Sequence, residues 1–293
     1  MRSHDSGFRQ VALAAFALAL LLVACAHKSN KTEQFDGQKA YLHVLKQCDF
    51  GPRPTGSEEN QQTAEYIISE LHKSGWVTDV QGFTYRGINA RNIIGAQGSG
   101  PLIILGVHYD TRPIADRDPI DRNRPVPGAN DGASGVAVLL ELARVLDLSK
   151  AGIQVWLVFF DAEDRGNING WPFSVGASYM AQRLSVRPEA VVVVDMVGDS
   201  EQQLFWEQNS DEQLLRTLWA IAADLGYEKY FIPQYRYAII DDHLPFRQLG
   251  LAAVDIIDFD YPYWHTTEDT LDKVSPESLQ RVGRVLETWL ENY

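Results

Sequence analysis

Leu102-Ile103-Ile104-Leu105-Gly106-Val107-His108-Tyr109-Asp110 decides the architecture. Leu102 to Val107 is a short, continuous apolar run, the pattern of a β-strand covered on both faces. Gln154 to Phe160 and Ala190 to Val194 have the same character, and Ala252 to Ile257 is a weaker member of the set. Each of the three strong runs leads into polar residues: His108, then Asp161-Ala162-Glu163-Asp164, then Asp195. Helical patterns separate the runs. Val136, Leu139, Leu140 and Ala143 form one face of a helix that starts just after Asp131. Leu279, Val282, Leu286 and Trp289 form another, with Ser275 as its N-cap and Pro276 in its first turn. Strands alternating with helices predict an α/β domain: a mostly parallel, mixed sheet with helices on both faces. In such folds ligands bind beyond the carboxyl ends of the strands. The polar residues collect at that edge.

Upstream, 37–48 and 58–74 read as helices, joined by the loop Gly51-Pro52-Arg53-Pro54-Thr55-Gly56. Val77 to Tyr85 and Ala90 to Ala96 read as strands. Arg112 to Gly128 is dense in arginine, aspartate and proline, which argues against a strand. It reads as a surface loop near the site, either a lid or a plain solvated segment.

The chain has 293 residues and 45% hydrophobic content, enough for one sizeable core, so one large domain fits better than two small ones. A net charge of −13 argues against nucleic acid, which wants a basic face. It suits a substrate with a positive end, such as a peptide N-terminus; it also serves solubility.

The first residues stand apart. Arg2 and Arg9 precede an apolar run from Val11 to Val23, too short for a typical membrane-spanning helix and right for a signal-peptide core. It ends in Leu22-Val23-Ala24-Cys25, which resembles the lipobox of bacterial lipoproteins; a plain signal peptide with an incidental cysteine is the alternative. The division expected is a signal peptide over 1–24, a tether over 25–36 and a catalytic domain over 37–293. Lipidation at Cys25 would place the protein outside the cytoplasm on a cell-envelope membrane. Ala26 is not the aspartate of an inner-membrane retention signal, so in a diderm host the outer membrane is expected. With Cys25 lipidated, Cys48 has no partner, and it reads as a buried small apolar residue.

Histidine and carboxylate are the ligand types that hold Zn²⁺ while leaving a position open for substrate. Such residues occur at His108, at Asp131 in Asn130-Asp131-Gly132-Ala133, at Glu163-Asp164, at Asp195 and at His265 in Tyr261-Pro262-Tyr263-Trp264-His265. Taken singly, each has a structural alternative. His108 and Asp195 could end strands, Asp131 could cap the helix after it, His265 could lie at the surface, and tryptophans are more often core than pocket. Those alternatives would have to coincide at five separated motifs.

From about Gln47 onward the chain resembles the zinc-dependent glutaminyl cyclases and the zinc aminopeptidases of the same fold. The resemblance rests on Gly51 to Ser57, His108-Tyr109-Asp110, Asn130 to Ala133, Asp161 to Asp164, Asp195 and His265. It implies that Asp131, Asp164 and His265 bind the catalytic zinc and that Glu163 is the general acid/base. His108 and Asp195 complete a second metal site in the aminopeptidases, whereas the cyclases typically bind one zinc. Asp241-Asp242-His243-Leu244-Pro245-Phe246 is similar to a cyclase stretch whose first aspartate hydrogen-bonds the carboxylate equivalent to Asp195; aminopeptidases usually have a small residue there. Trp264 matches a pocket indole of the cyclases, and Trp171 is expected to be a second one. His243 falls outside the ligand set and reads as structural or supporting. The chain departs from the family at Asp164, where glutamate is usual; aspartate has a shorter reach.

The function so implied is a glutaminyl-peptide cyclotransferase. Zinc acts as Lewis acid on the γ-carbonyl of an N-terminal glutamine, and Glu163 moves the proton from α-amine to leaving ammonia. Asp241 holds the geometry. The alternatives are a dizinc aminopeptidase, in which Glu163 activates water, and a lipid-anchored binding protein on an inactive fold, against which an intact Glu163 argues. Peptide or protein N-termini are the expected substrates, and a monomer is the default.

Overall fold

The computed structural model describes residues 33–293. The signal peptide, Cys25 and most of the expected tether lie outside the described residues. Chain order is α1 (Gly37–Phe50), α2 (Glu58–Lys73), β1 (Val77–Tyr85), β2 (Ile88–Gly98), β3 (Leu102–His108), α3 (Ala133–Val145), β4 (Gln154–Phe160), α4 (Val175–Ala181) and β5 (Ala190–Asp195). There follow β6 (Leu204–Glu207), α5 (Glu212–Asp224), β7 (Phe231–Tyr237), α6 (Leu244–Gln248), β8 (Ala253–Ile257), a 3₁₀ turn at Leu271–Lys273 and α7 (Pro276–Glu291).

Six strands form the central sheet in the order β1-β2-β4-β3-β5-β8. The β4-β3-β5-β8 stretch is parallel, while β1 pairs β2, and β2 pairs β4, antiparallel. The sheet is therefore mixed and mostly parallel at its centre. β6 and β7 form a separate two-stranded parallel ribbon.

Side chains alternate across the pleat. Ile103, Leu105 and Val107 of β3, with Val192 and Val194 of β5, join one core with residues of α1, α2, α3, α5 and α7. Leu102, Ile104, Val191 and Val193 join the opposite core with Ala177 and Met180 of α4 and Phe246 of α6. Two buried faces explain why these strands read as unbroken apolar runs. Truncating a fully buried leucine such as Leu105 to alanine would cost about 2–5 kcal/mol.

Packing of the domain starts ahead of α1. Phe35 is buried, its N–H donates to Glu287 in α7, and Asp36 caps α1 by accepting from the N–H groups of Gln38 and Lys39. The long loop after β3 is only partly solvated: Arg112, Ala115, Asp118 and Val126 are buried. Cys48 is a free, part-buried thiol whose burial pushes its pKa up to about 11. No helix among the described residues is long and apolar enough to cross a membrane.

β3 lies between β4 and β5, so the chain leaves β3 in one direction and later returns past it. At such a reversal the connections splay apart and open a crevice beyond the strand ends. His108 and Asp195 are the last residues of β3 and β5.

Candidate active site

Into this crevice the loop before α3 brings Asp131. Gly132, at φ +90, takes the N-cap position with no side-chain cap, so the Asp131 carboxylate is not spent on the helix. Instead Asp269 accepts from the N–H groups of Asn130 (2.9 Å) and Asp131 (3.1 Å) and from the Tyr261 hydroxyl (2.7 Å). Asp110 does the equivalent for the loop after β4, accepting from the N–H groups of Glu163 (3.0 Å) and Asp164 (3.2 Å) and from Thr55 Oγ1 (3.0 Å). The sequence gives no sign of these roles for Asp110 and Asp269, although each lies within four residues of a metal-type histidine.

Three non-glycine residues at or beside the site have left-handed backbones: Ala162 (φ 62), Met196 (φ 44) and His265 (φ 59). Strained conformations of this kind cluster at functional sites. They aim Glu163, the residue after Asp195, and His265 itself.

His108 Nδ1 lies 3.1 Å from the Asp110 carbonyl, which can only accept, so Nδ1 carries the proton. Nε2 then faces Asp131 Oδ1 and Asp195 Oδ1, each at 3.1 Å. Two carboxylates converging on one imidazole nitrogen require positive charge between them, from a proton or a metal cation. His265 repeats the pattern. Its Nε2 is 3.1 Å from Asp164 Oδ1 and 3.8 Å from Asp131 Oδ2. Asp131 Oδ2 and Asp164 Oδ2 are buried without a hydrogen-bond partner, a costly state that a cation would relieve. Among the described residues, two sets of ligand atoms are close enough to hold an ion: His108, Asp131 and Asp195, and Asp131, Asp164 and His265. They share Asp131, and the imidazole-plus-carboxylate composition suits zinc.

Burial sets the electrostatics. Asp195 is pushed up to about 7, by burial and then by the Asp241 charge, against His108. Asp164 is pushed up to about 6, by burial and Asp131, against His265 and Arg112. Burial also acts on Asp131, but the hydrogen bond and charge of His108, with the charge of His265, hold it below the usual carboxylate range. Glu163 is carried well above the ordinary glutamate value by burial; His108 opposes this, and the charges of Asp164, Asp241 and Asp242 add to it.

The crevice encloses a cavity of about 260 Å³ lined by Asp131, Glu163, Asp195, Asp241 and His265 on its polar side. Phe173, Met196, Ile239, Ile257, Phe259 and Trp264 supply the apolar side. Trp264 is thus at the cavity. Trp171 is not. It is buried in a separate cluster with Ala90, Ala162 and Val175, edge-on to Tyr85, under the Arg165 guanidinium. The aromatic that this segment offers to the cavity is Phe173. Asp241 also departs from expectation in its partners. Asp195 bonds His108, while Asp241 accepts from the Asp242 N–H (2.5 Å) and lies against Asp255, which hydrogen-bonds it when protonated. His243 is fully buried between Glu207 (3.1 Å) and Asp255 (3.7 Å), away from the ligand sets.

Residues 92–290 match the sequence profile of Peptidase family M28. The chain belongs to that family. Its α/β fold is the one shared by solved glutaminyl cyclases and zinc-dependent exopeptidases. Over 199 residues it is 28% identical to the aminopeptidase YwaD of Bacillus subtilis, a match covering 62% of this chain but 39% of that longer protein. Over 280 residues it is 27% identical to the glutaminyl-peptide cyclotransferase-like protein of Mus musculus, covering 82% of this chain and 72% of the relative. The solved glutaminyl cyclase of Bacteroides thetaiotaomicron, bound to N-acetylhistamine, superposes with a TM-score of 0.84 at 33% identity, over 90% of this chain and 100% of that one. This M28 member is an enzyme of a zinc-dependent family with a candidate metal site at His108, Asp131 and Asp195.

Proposed function

We propose that the protein is a glutaminyl-peptide cyclotransferase that converts N-terminal glutamine of peptides or proteins to pyroglutamate and releases ammonia. The observation that carries this reading is Asp241: a fourth buried carboxylate at the cavity wall, whose charge acts on Glu163 and Asp195, at the position where the resemblance leads one to expect a small residue in an aminopeptidase. A cyclase needs an acceptor that steers the substrate's own amine.

The α-amine and the γ-amide are joined through the glutamine side chain, so the enzyme's main task is to fold one onto the other in a dry pocket. Trp264, Phe259 and Ile257 wall that pocket and exclude water. Ionised Glu163 takes a proton from the α-amine as its nitrogen bonds to the carbonyl carbon of the side-chain amide. The same carboxyl then returns the proton to the departing amide nitrogen, which leaves as ammonia. Asp241 accepts hydrogen bonds from the substrate nitrogens and keeps the amine in line. Asp131, Asp164 and His265 would hold a zinc ion, which when bound would supply Lewis-acid polarisation of the γ-carbonyl.

A second reading, a dizinc aminopeptidase, is favoured by one observation: His108 and Asp195 remain within ligand distance of Asp131 and complete a second set. Both readings are tested together. Zinc-loaded protein starting after Cys25 is mixed with a Gln-initiated and a Leu-initiated peptide, and masses are followed. Ammonia loss from the glutamine peptide alone, abolished in Glu163→Gln, supports the cyclase; removal of an N-terminal residue from either peptide overturns it. Unchanged peptides with zinc bound would favour an inactive binding protein.

Lipid anchoring at Cys25 outside the cytoplasm is the accompanying proposal, resting on Leu22-Val23-Ala24-Cys25. Replacement of Cys25 by alanine should move the protein from the membrane to the soluble fraction; retention on membranes would sink it.

A further inference from the structure

Residues 112–118 make contacts that the reaction above does not use. The buried Arg112 guanidinium donates through Nε and Nη2 to Asp116 Oδ1 (2.6 Å) and Oδ2 (2.9 Å). Its Nη1 donates to the Asp164 carbonyl (3.3 Å) and to Asp164 Oδ1 (3.4 Å). Asp116 Oδ1 also lies 3.6 Å from His265 Nδ1, and His265 Nε2 faces Asp164. The four side chains close a ring: Asp164, Arg112, Asp116, His265. Further grips hold the same segment. The Arg117 N–H donates to the His265 carbonyl (3.3 Å), and its guanidinium carbon sits 4.0 Å over the Trp264 ring. Asp118 accepts from Thr267 N (2.9 Å) and Oγ1 (2.6 Å).

We propose that residues 112–118 are a strap that positions two metal ligands, Asp164 and His265, with Asp116 as the outer partner of the His265 imidazole. The inference rests on reading Asp131, Asp164 and His265 as a metal site. The physical case has two parts. A ligating histidine is oriented by the partner of its other ring nitrogen, and the Asp116 carboxylate, at ion-pair distance from Nδ1, favours the proton there and so leaves Nε2 for the ion. An aspartate at 164, with its short reach, has little freedom to find an ion by itself. Arg112 grips both its carbonyl and its carboxylate, and so fixes backbone and side chain together. The strap also holds the backbone that follows the positive-φ His265, through Arg117 at the His265 carbonyl and Asp118 at the Thr267 N–H. Asp116, Arg112 and Asp118 are therefore positioning residues.

The test measures zinc affinity by chelator competition, together with the visible absorption of the cobalt-substituted protein. Asp116 is 41% exposed on its side chain, so Asp116→Asn should fold. The expected result is a loss of about 10–100-fold in zinc affinity, with altered cobalt bands. Asp121→Asn, in the same loop, alters a side chain that pairs with Arg124 and keeps the backbone N–H bonded to Asp118; it is the control and should bind zinc as the parent does. Should Asp116→Asn fail to fold, Thr267→Ala removes one grip and is expected to weaken zinc several-fold. Parent-like affinity and cobalt bands in Asp116→Asn, or in Thr267→Ala if that is the variant that folds, overturn the strap while leaving the metal site standing. A parent protein that binds no zinc overturns both.

Discussion

Asp241 acts on the site by charge as well as by contact. Its carboxylate is among the groups that raise Glu163 and Asp195 above ordinary values. Asp241→Asn keeps the shape and removes that charge. Cyclisation should fall about 10²-fold as the amine loses its acceptor. The sign of the pH effect follows from linkage. With less negative charge nearby, Glu163 ionises at lower pH, so the acid limb of kcat/KM against pH should move downward. An acid limb that stays in place would separate Asp241 from Glu163. His108, Asp164 and Asp195 were legible because histidine and aspartate stand out at or soon after apolar strands, whereas Asp131 and His265 were legible through their motifs. Asp110 and Asp269 were not, since an aspartate that accepts backbone N–H groups looks in sequence like any loop aspartate. Nor were the left-handed backbones at Ala162, Met196 and His265, because only glycine advertises that conformation. Trp171 misled for the opposite reason: an indole beside Gly170 and Pro172 fits a pocket as readily as the satellite core where it lies.

At the scale of elements, α3 must sit close to the sheet for Asp131 to reach the crevice. Gly135 permits this. A Cβ there would lie 2.4 Å from the Val194 carbonyl oxygen and 2.5 Å from Val107 Cγ2. Asn130 Oδ1 and Ser134 Oγ accept from the Gly198 and Val197 N–H groups and stitch the same helix start to the end of β5. In an ordinary helix Gly→Ala stabilises by about 0.5–1 kcal/mol. Here Gly135→Ala should have the opposite sign and destabilise by about 1–3 kcal/mol through overpacking, because a strand carbonyl cannot give way. It should also weaken zinc binding by displacing Asp131. Thermal melting with and without zinc checks both, and a variant that melts like the parent would refute the close-packing argument. β3, β4 and β5 were readable because burial on two faces leaves an unbroken apolar signature. The β6–β7 ribbon was not read. β6 has four residues, and β7 carries Pro233 among exposed side chains, so neither gives a periodic signal.

For the whole molecule, the decisive quantity is how much negative charge the fold buries. A net charge of −13 was legible at once, but not that so many of its carboxylates converge behind one crevice, since that depends on strand order. Burial pushes Asp161, Asp195, Asp258 and Asp269 each to about 7, and Asp164 to about 6. In the unfolded chain such groups titrate near ~3.9. A carboxyl whose folded pKa is raised keeps its proton more readily in the native state, so stability falls as pH rises from about 4 to 7. His43 has the reverse sign: burial lowers it to about 4, so it penalises the fold as pH drops below about 6.5. One histidine is outnumbered by the carboxyls above pH ~5. The zinc-stripped protein should therefore melt higher at pH 5.5 than at pH 7.5, by a few degrees for each kcal/mol at stake, at roughly 2–4 °C per kcal/mol for a domain of this size. Zinc supplies the missing positive charge, and its ligands must be deprotonated to bind it, so its stabilisation should be larger at pH 7.5. At 100-fold excess over Kd that stabilisation is about 2.7 kcal/mol. The pH preference should accordingly flatten or invert when zinc is restored. Calorimetry of stripped and loaded protein at the two pH values decides: a stripped protein that melts higher at pH 7.5 would mean that the crevice carboxylates are neutralised by something other than bound metal or protons.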